Sequence, residues 1–287
     1  MAAIEPVPAK FHTSDGLRLA ADRWGQGGRV VLLFHGGGQT RHAWGGAAER
    51  LAKSGWCAYT IDQRGHGESD WSPGGRYAID HFAQDLRDCC AAFETPPPVV
   101  GASLGGISAL LGQGESEKTV LSALVLVDIT PRVERAGVER IISFMAARAE
   151  TGFADLEECA DYVASYLPHR KRPKDTSGLL KNLRLREDGR YYWHWDPRFV
   201  TDADKRMEDR DPDRMIAATR NIKCPTLLVR GGSSDLVSEE AAREFLAIAP
   251  QAEYVDVSGA GHMVAGDKND AFADGVLAFL DKVRMPR

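Results

Sequence analysis

A short segment built around one serine constrains the fold more than any other part of this chain. Two valines at 99–100 lead into a Gly-x-Ser-x-Gly pentapeptide at 101–105, and small and apolar residues follow. This order predicts a buried strand that turns sharply at Ser103 and continues directly as a helix. The turn would expose the Ser103 hydroxyl and leave the Leu104 N–H at a helix N-terminus, where negative charge is favoured. The pattern indicates a nucleophile. The alternative is a glycine-rich turn that happens to contain a serine.

The rest of the chain favours a parallel α/β sheet. Strand-like runs alternate with segments that have apolar residues at helical spacing, as in a mostly parallel, doubly wound sheet. The first run, 17–24, partly alternates and suits a half-exposed antiparallel strand. The predicted strands are 17–24, 29–34, 56–62, 99–100, 120–127, 226–230 and 252–257, and the predicted helices of this part are 41–53, 79–93, 238–249 and 267–283.

The alternation is interrupted between residues 131 and 213. This part has no clear strand and contains charge-rich, helix-like segments, of which 138–150 and 156–166 are the plainest. An aromatic cluster at 191–195 lies near its end. We therefore expect a core made of 1–130 and 214–287, with 131–213 inserted as a helical cap.

The composition of the chain makes several classes of function less favoured. The 287 residues carry a net charge of −5, so nothing favours nucleic acid, and the basic run 169–174 without interleaved aromatics predicts an exposed loop. The sequence shows no apolar leader and no segment long enough to span a bilayer. Five cysteines without a CxxC pair predict reduced thiols. We expect a cytoplasmic protein that acts on a small molecule, without a membrane partner; the oligomeric state is not predicted.

A serine nucleophile needs a base that is oriented by an acid. In an open parallel sheet such groups follow the carboxyl ends of strands. Asp235 lies in a small-residue loop after the 226–230 strand, and His262 lies in another after 252–257. The order Ser103, Asp235, His262 predicts a catalytic triad. Asp128, at the end of the 120–127 strand, is the rival acid, and Asp235 is favoured because its glycine-containing loop gives it more reach.

The oxyanion of such a reaction needs two fixed N–H donors. Leu104 would supply one, and Gly37 the other, from the Gly36–Gly38 run after the 29–34 strand. His35 and His66 are expected to support these loops rather than to titrate in catalysis. The glycines match neither a P-loop nor a Rossmann turn, and there is no HExxH or equivalent metal motif, so no cofactor or metal is expected.

Five motifs in one order resemble the α/β-hydrolase superfamily over nearly the whole chain. They are His35-Gly36-Gly37-Gly38, the loop 62–69, Gly101–Gly106, Asp235 and Gly261-His262. The chain looks most similar to the compact bacterial esterases and cofactor-independent perhydrolases that carry a helical cap. The resemblance implies an eight-stranded, mostly parallel sheet with an antiparallel second strand. It also implies an acyl-enzyme formed on Ser103.

The expected activity is hydrolysis of carboxylic esters with small to medium apolar acyl groups. Predicted substrate-binding residues are Gly36, Gly38, Trp193, Trp195 and Met263. Perhydrolase or haloperoxidase-type activity is an alternative, as is cleavage of lactones, thioesters or C–C bonds by the same triad. The residues after His262 also resemble epoxide hydrolases, but epoxide opening in this superfamily uses an aspartate where this chain has Ser103. A non-catalytic ligand-binding homologue is a further alternative.

Overall fold

An eight-stranded sheet organises the protein, and it confirms the predicted α/β-hydrolase fold class. The computed structural model describes residues 3–166, 172, 174–201, 211–262, 264 and 269–284. The strands are β1 (Val7–His12), β2 (Arg18–Trp24), β3 (Arg29–Phe34), β4 (Trp56–Ile61), β5 (Val99–Ala102), β6 (Leu124–Val127), β7 (Leu183–Leu185), β8 (Tyr191–Trp193), β9 (Thr226–Gly231) and β10 (Ala252–Val257).

The order of strands in the large sheet is β1-β2-β4-β3-β5-β6-β9-β10. Strand β2 runs antiparallel to both of its neighbours, and the other adjacent pairs are parallel. The carboxyl ends of β3, β5, β6, β9 and β10 therefore meet at one edge of the sheet, where the polar residues of the candidate site follow them.

Helices cover both faces of this sheet. They are α1 (Gly45–Lys53), α2 (Ile79–Ala91), α3 (Leu104–Gly114), α7 (Pro212–Asn221), α8 (Glu239–Ile248) and α9 (Asn269–Arg284), with a short 3₁₀ helix at Arg41–Trp44. Helices α4 (Arg135–Ala146), α5 (Leu156–Tyr166) and α6 (Arg198–Thr201) and the 3₁₀ helix Ser177–Asn182 belong to the chain between β6 and β9. Side chains of a strand point alternately to the two faces. On β3, Leu32 and Phe34 pack with α2, α3, α7 and α8, whereas Val31 and Leu33 pack with α1 and α9. Burial on both faces explains the continuous apolar runs of the parallel strands.

The chain between β6 and β9 forms most of a separate layer over the carboxyl edge of the sheet. Its own apolar cluster includes Met145, Phe153, Trp193 and Phe199, and it packs against Tyr77 and Phe82 of the core. Strands β7 and β8 form a hairpin there, whereas the sequence predicted no strand. Each has only three residues, too few for a strand periodicity to stand out.

The end of this layer lies close to the predicted boundary. Helix α7 begins at Pro212, and the Asp211 carboxylate caps it by accepting a hydrogen bond from the Asp213 N–H at 2.9 Å. Met215 and Ala218 of this helix belong to the main core. The division of the chain at 131 and 213 stays a prediction, and we call the stretch between these positions the cap.

None of the helices in the described ranges has both the length and the apolar character of a transmembrane span. The cytoplasmic location stays a prediction.

The close approach of α3 to β3 generates a stability prediction. A Cβ atom at Gly105 would overlap the backbone carbonyl of Phe34. Because backbone cannot yield as a flexible side chain can, we expect Gly105→Ala to lower the free energy of unfolding by about 3 kcal/mol. Urea titration followed by circular dichroism measures it. Gly28→Ala is the matched control, since a Cβ at Gly28 meets open space. An equal, small effect of both substitutions would contradict the packing argument.

Candidate active site

Ser103 occupies the predicted turn between β5 and α3. Its backbone has φ 44° and ψ −110°, and Ser103 and Asp128 are the two non-glycine residues with positive φ in the described part of the chain. Such a conformation is costly for an L-residue and persists only where the surroundings enforce it. A Cβ at Gly101 would lie 2.5 Å from the Gly105 carbonyl oxygen, so the two glycines are needed because backbone passes directly over backbone.

His262 follows β10, and its Nδ1 lies 2.7 Å from Oδ2 of Asp128. Asp128 is fully buried at the end of β6. Its carboxylate also accepts hydrogen bonds from the Gly231 N–H at 3.0 Å and from the Ser234 hydroxyl at 2.5 Å. These donors fix the carboxylate, which in turn fixes the orientation of the imidazole.

Asp235 does not contact His262, which corrects the predicted acid. Its carboxylate instead accepts a hydrogen bond from Arg140 Nη1 at 2.9 Å, and its side chain is 41% exposed. The loop after β9 turns Ser234 towards the sheet, where the Ser234 hydroxyl binds Asp128. Asp235, the next residue, is turned towards the cap. The rival candidate Asp128 therefore holds the place that the sequence analysis gave to Asp235.

The loop after β3 contains three glycine N–H groups, and two of them donate to side chains. The Gly36 N–H donates to Gln39 Oε1 at 3.0 Å, and the Gly38 N–H donates to His66 Nε2 at 3.1 Å. Within the described residues, the N–H groups of Gly37 and of Leu104 have no acceptor. Both predicted oxyanion donors are thus free to bind a ligand oxygen.

Two neutral histidines hold this loop. His35 Nδ1 donates to the Gly36 carbonyl at 2.8 Å, and its Nε2 accepts from the Gln63 N–H at 3.0 Å. His66 Nδ1 donates to the Arg64 carbonyl at 2.9 Å, which leaves its Nε2 to accept from Gly38. Burial lowers the pKa of His35 to about 4, because the charged form would be desolvated.

The loop after β4 is fixed by the buried Asp62 carboxylate. This group accepts hydrogen bonds from the Arg41 N–H at 2.6 Å, from Arg41 Nη1 at 2.5 Å and from the Glu68 N–H at 2.9 Å. Gly67 has φ 55°, and a Cβ there would overlap the Asp62 carboxylate. The motif at 62–69 therefore serves to support His66 and the glycine loop rather than to supply a reacting group.

A cavity of about 610 Å³ lies between the sheet edge and the cap, and Ser103 and His262 both line it. Of the predicted substrate-binding residues, Gly36, Gly38, Trp193 and Trp195 line it as well, and Met263 lies outside the described residues. The two tryptophan rings are stacked, with centroids 4.8 Å apart. Phe199 of α6, an aromatic residue that the sequence also suggested for this wall, lines it too. Further apolar lining that the sequence did not single out comes from α4 and includes Ile141 and Met145.

Among the described residues, no three His, Cys, Asp or Glu side chains are grouped so that they could hold a metal ion.

Comparison with known proteins shows the family. The sequence model of the α/β hydrolase fold matches residues 29–268. Esterase Rv0045c of Mycobacterium tuberculosis is 30% identical over 286 residues, which cover 96% of this chain and 90% of that protein. Its crystal structure superposes with a TM-score of 0.75 at 26% identity, over 98% of this chain and 93% of that one.

Two further proteins are similar over nearly the whole chain. The sn-1-specific diacylglycerol lipase ABHD11 of Mus musculus is 28% identical over 294 residues, 97% of this chain and 87% of that protein. The crystal structure of E-2-(acetamidomethylene)succinate hydrolase has a TM-score of 0.84 at 22% identity, over 96% of this chain and all of that one, which shows the shared fold.

The buried His35 generates a pH prediction. Its pKa in the folded protein, about 4, lies below its ordinary value of 6.5. Between these values the unfolded chain binds the extra proton, so His35 stabilises the fold fully above pH 6.5. We expect this contribution, about 3 kcal/mol, to be lost as the pH falls from 6.5 to 4.

The test is urea unfolding at several pH values in this window. In His35→Asn, the amide can still donate to the Gly36 carbonyl, but the residue no longer titrates. We expect the difference in unfolding free energy between wild type and His35→Asn to shrink as the pH falls. His12→Asn, at an exposed histidine, is the control. A difference that stays constant with pH would refute the assignment of the titration to His35.

Proposed function

The chain belongs to the α/β-hydrolase family, and from this premise we propose that it is a serine hydrolase that cleaves carboxylic esters of small to medium apolar acyl groups. One observation carries the proposal. The strained Ser103 lines the same cavity as His262, whose imidazole is paired with the buried Asp128. Gly37 and Leu104, the residues with uncommitted N–H groups, line this cavity too. This combination suits attack on a carbonyl followed by stabilisation of an oxyanion.

The proposed reaction has two halves. His262 Nε2 accepts the Ser103 proton while Oγ bonds to the carbonyl carbon, and Asp128 stabilises the imidazolium through the 2.7 Å hydrogen bond. The N–H groups of Gly37 and Leu104 bind the oxyanion. When the C–O bond to the alcohol breaks, His262 returns the proton to the leaving oxygen. A water molecule then gives a proton to His262 while its oxygen bonds to the acyl carbon. The bond from this carbon to Oγ breaks, His262 returns the proton to Oγ, and the acid is released.

The lining of the cavity supports an apolar acyl group. Aromatic and aliphatic side chains from the cap form much of its wall, and a pocket of this volume suits a small molecule. The relatives named as esterase and lipase agree with an ester substrate. Serine at the turn also argues against epoxide opening, which needs a nucleophile that forms an alkyl ester.

Replacing the nucleophile tests the proposal directly. We expect purified protein to hydrolyse p-nitrophenyl esters from acetate to octanoate, and Ser103→Ala to lower kcat by at least about 10⁴-fold because no acyl-enzyme can form. The release of p-nitrophenol measures both, and a thermal melt shows that the variant is folded. Equal rates for the two proteins would end the proposal.

Comparison of two aspartates tests the corrected acid. Asp128→Asn removes the negative charge that holds the His262 tautomer, and we expect kcat to fall by about 10⁴-fold. Asp235→Asn removes the same charge from a residue that lines the cavity but does not contact His262, and we expect less than about a tenfold effect. If Asp235→Asn were the more damaging substitution, the assignment of Asp128 would be wrong.

A further inference from the structure

One part of the cavity wall carries several hydrogen-bond donors that make no hydrogen bond to the described residues. Gln39, His42, Lys181 and Asn182 all line it. The first two follow the glycine loop, and the other two belong to the 3₁₀ helix Ser177–Asn182 of the cap. We call these four residues the donor end of the cavity.

At this end, hydrogen bonds to the amide oxygens fix the orientation of the side-chain amides. Gln39 Oε1 accepts the Gly36 N–H at 3.0 Å, which identifies the oxygen and leaves the NH₂ group of Gln39 without an acceptor in the described structure. Asn182 Oδ1 accepts the Thr40 hydroxyl at 3.3 Å, and its NH₂ group likewise binds no described residue. Each amide therefore has two N–H bonds available.

Lys181, an exposed residue, adds a positive charge. It forms no ion pair with a carboxylate of the described residues, whereas Arg140, the other cation of the lining, is paired with Asp235 at 2.9 Å. Asp235 is also the one carboxylate among the described lining residues. The pKa of His42 is lowered, first by burial, then by the charge of Arg41 and to a smaller extent by that of Lys181. The ammonium group of Lys181 is therefore near enough to act on the His42 ring.

Gln39 is the member of the donor end that lies nearest to Ser103 in the described contacts. A Cβ atom on Gly36 would be 3.1 Å from Gln39 Oε1 and 3.4 Å from Ser103 Cβ, so Gln39 and Ser103 flank the same glycine. A substrate bound to Ser103 can therefore reach these donors with another part of its structure.

We propose that the donor end binds a carboxylate of the substrate, so that the esters cleaved here are apolar chains that carry a remote carboxylate group. A carboxylate offers only acceptors at neutral pH, so it can bind an ammonium group and amide N–H groups, whereas it has no donor to match. The remaining wall is apolar and takes the intervening chain. This inference rests on the proposed esterase function and specifies its substrate class.

Matched esters test the proposal. One pair is mono-p-nitrophenyl adipate and p-nitrophenyl hexanoate, which have acyl chains of equal length with and without a carboxylate. The other pair is 4-carboxyphenyl hexanoate and phenyl hexanoate, in which the carboxylate lies on the alcohol. For each pair, the ratio of kcat/KM for the charged ester to that for the neutral one is measured, so the two pairs show which half of the substrate carries the carboxylate.

We expect Lys181→Gln to lower this ratio about tenfold in one of the two pairs, since it removes a charge-assisted hydrogen bond. Lys181→Glu is expected to lower the ratio further, and Lys181→Arg to restore most of it. Added salt should lower the ratio for wild type because it screens the ammonium charge. Lys118→Gln removes the same charge from an exposed site outside the cavity, and it should leave both rates unchanged.

The experiments distinguish a failure of the esterase proposal from a failure of the carboxylate proposal. If Ser103→Ala hydrolyses the esters as fast as wild type, the esterase function is wrong. If hydrolysis depends on Ser103 but Lys181→Gln leaves the ratio unchanged in both pairs, the carboxylate subsite is overturned and the esterase function stands.

Discussion

Backbone contact between β3, β5 and α3 is the constraint on which the site depends. Gly101 and Gly105 let the chain pass within van der Waals distance of itself on both sides of Ser103. This packing holds Ser103 at a positive φ that an isolated serine would avoid. The same contact brings the glycine loop after β3 beside the start of α3. Ser103 and the two free N–H groups are thus positioned by the same packing.

Most of the core could be predicted from the sequence because its signals are local. Continuous apolar runs marked the parallel strands, and the glycine spacing marked the turn at Ser103. His262 followed from its place after the last strand. The carboxylate that pairs with His262 did not, because Asp128 and Asp235 each follow a strand and the sequence does not tell in which direction either side chain points. The positive φ of Asp128 and the intervening Ser234 decide that direction, and both are properties of the folded chain.

The secondary structure of the cap was harder to predict because it depends on contacts between residues that are distant in sequence. The short β7–β8 hairpin is tied to the core through Arg184, which donates to the Gly67 carbonyl and lies over the Trp71 ring. His194, directly after β8, accepts the Gly67 N–H at 2.6 Å. A search for helical or strand periodicity detects none of these contacts. The donor end was missed for the same reason, since its residues are about 140 positions apart.

The sheet and the cap contribute different parts of the site, and this separation affects how such a protein can evolve. The groups assigned to bond making lie on the sheet and on its edge loops, whereas much of the wall that meets the substrate belongs to the cap. Substitutions in the cap can therefore reshape substrate choice while the sheet keeps the chemistry intact. Selection can act on the two layers almost independently, which makes the scaffold readily evolvable and a practical target for directed evolution confined to the cap.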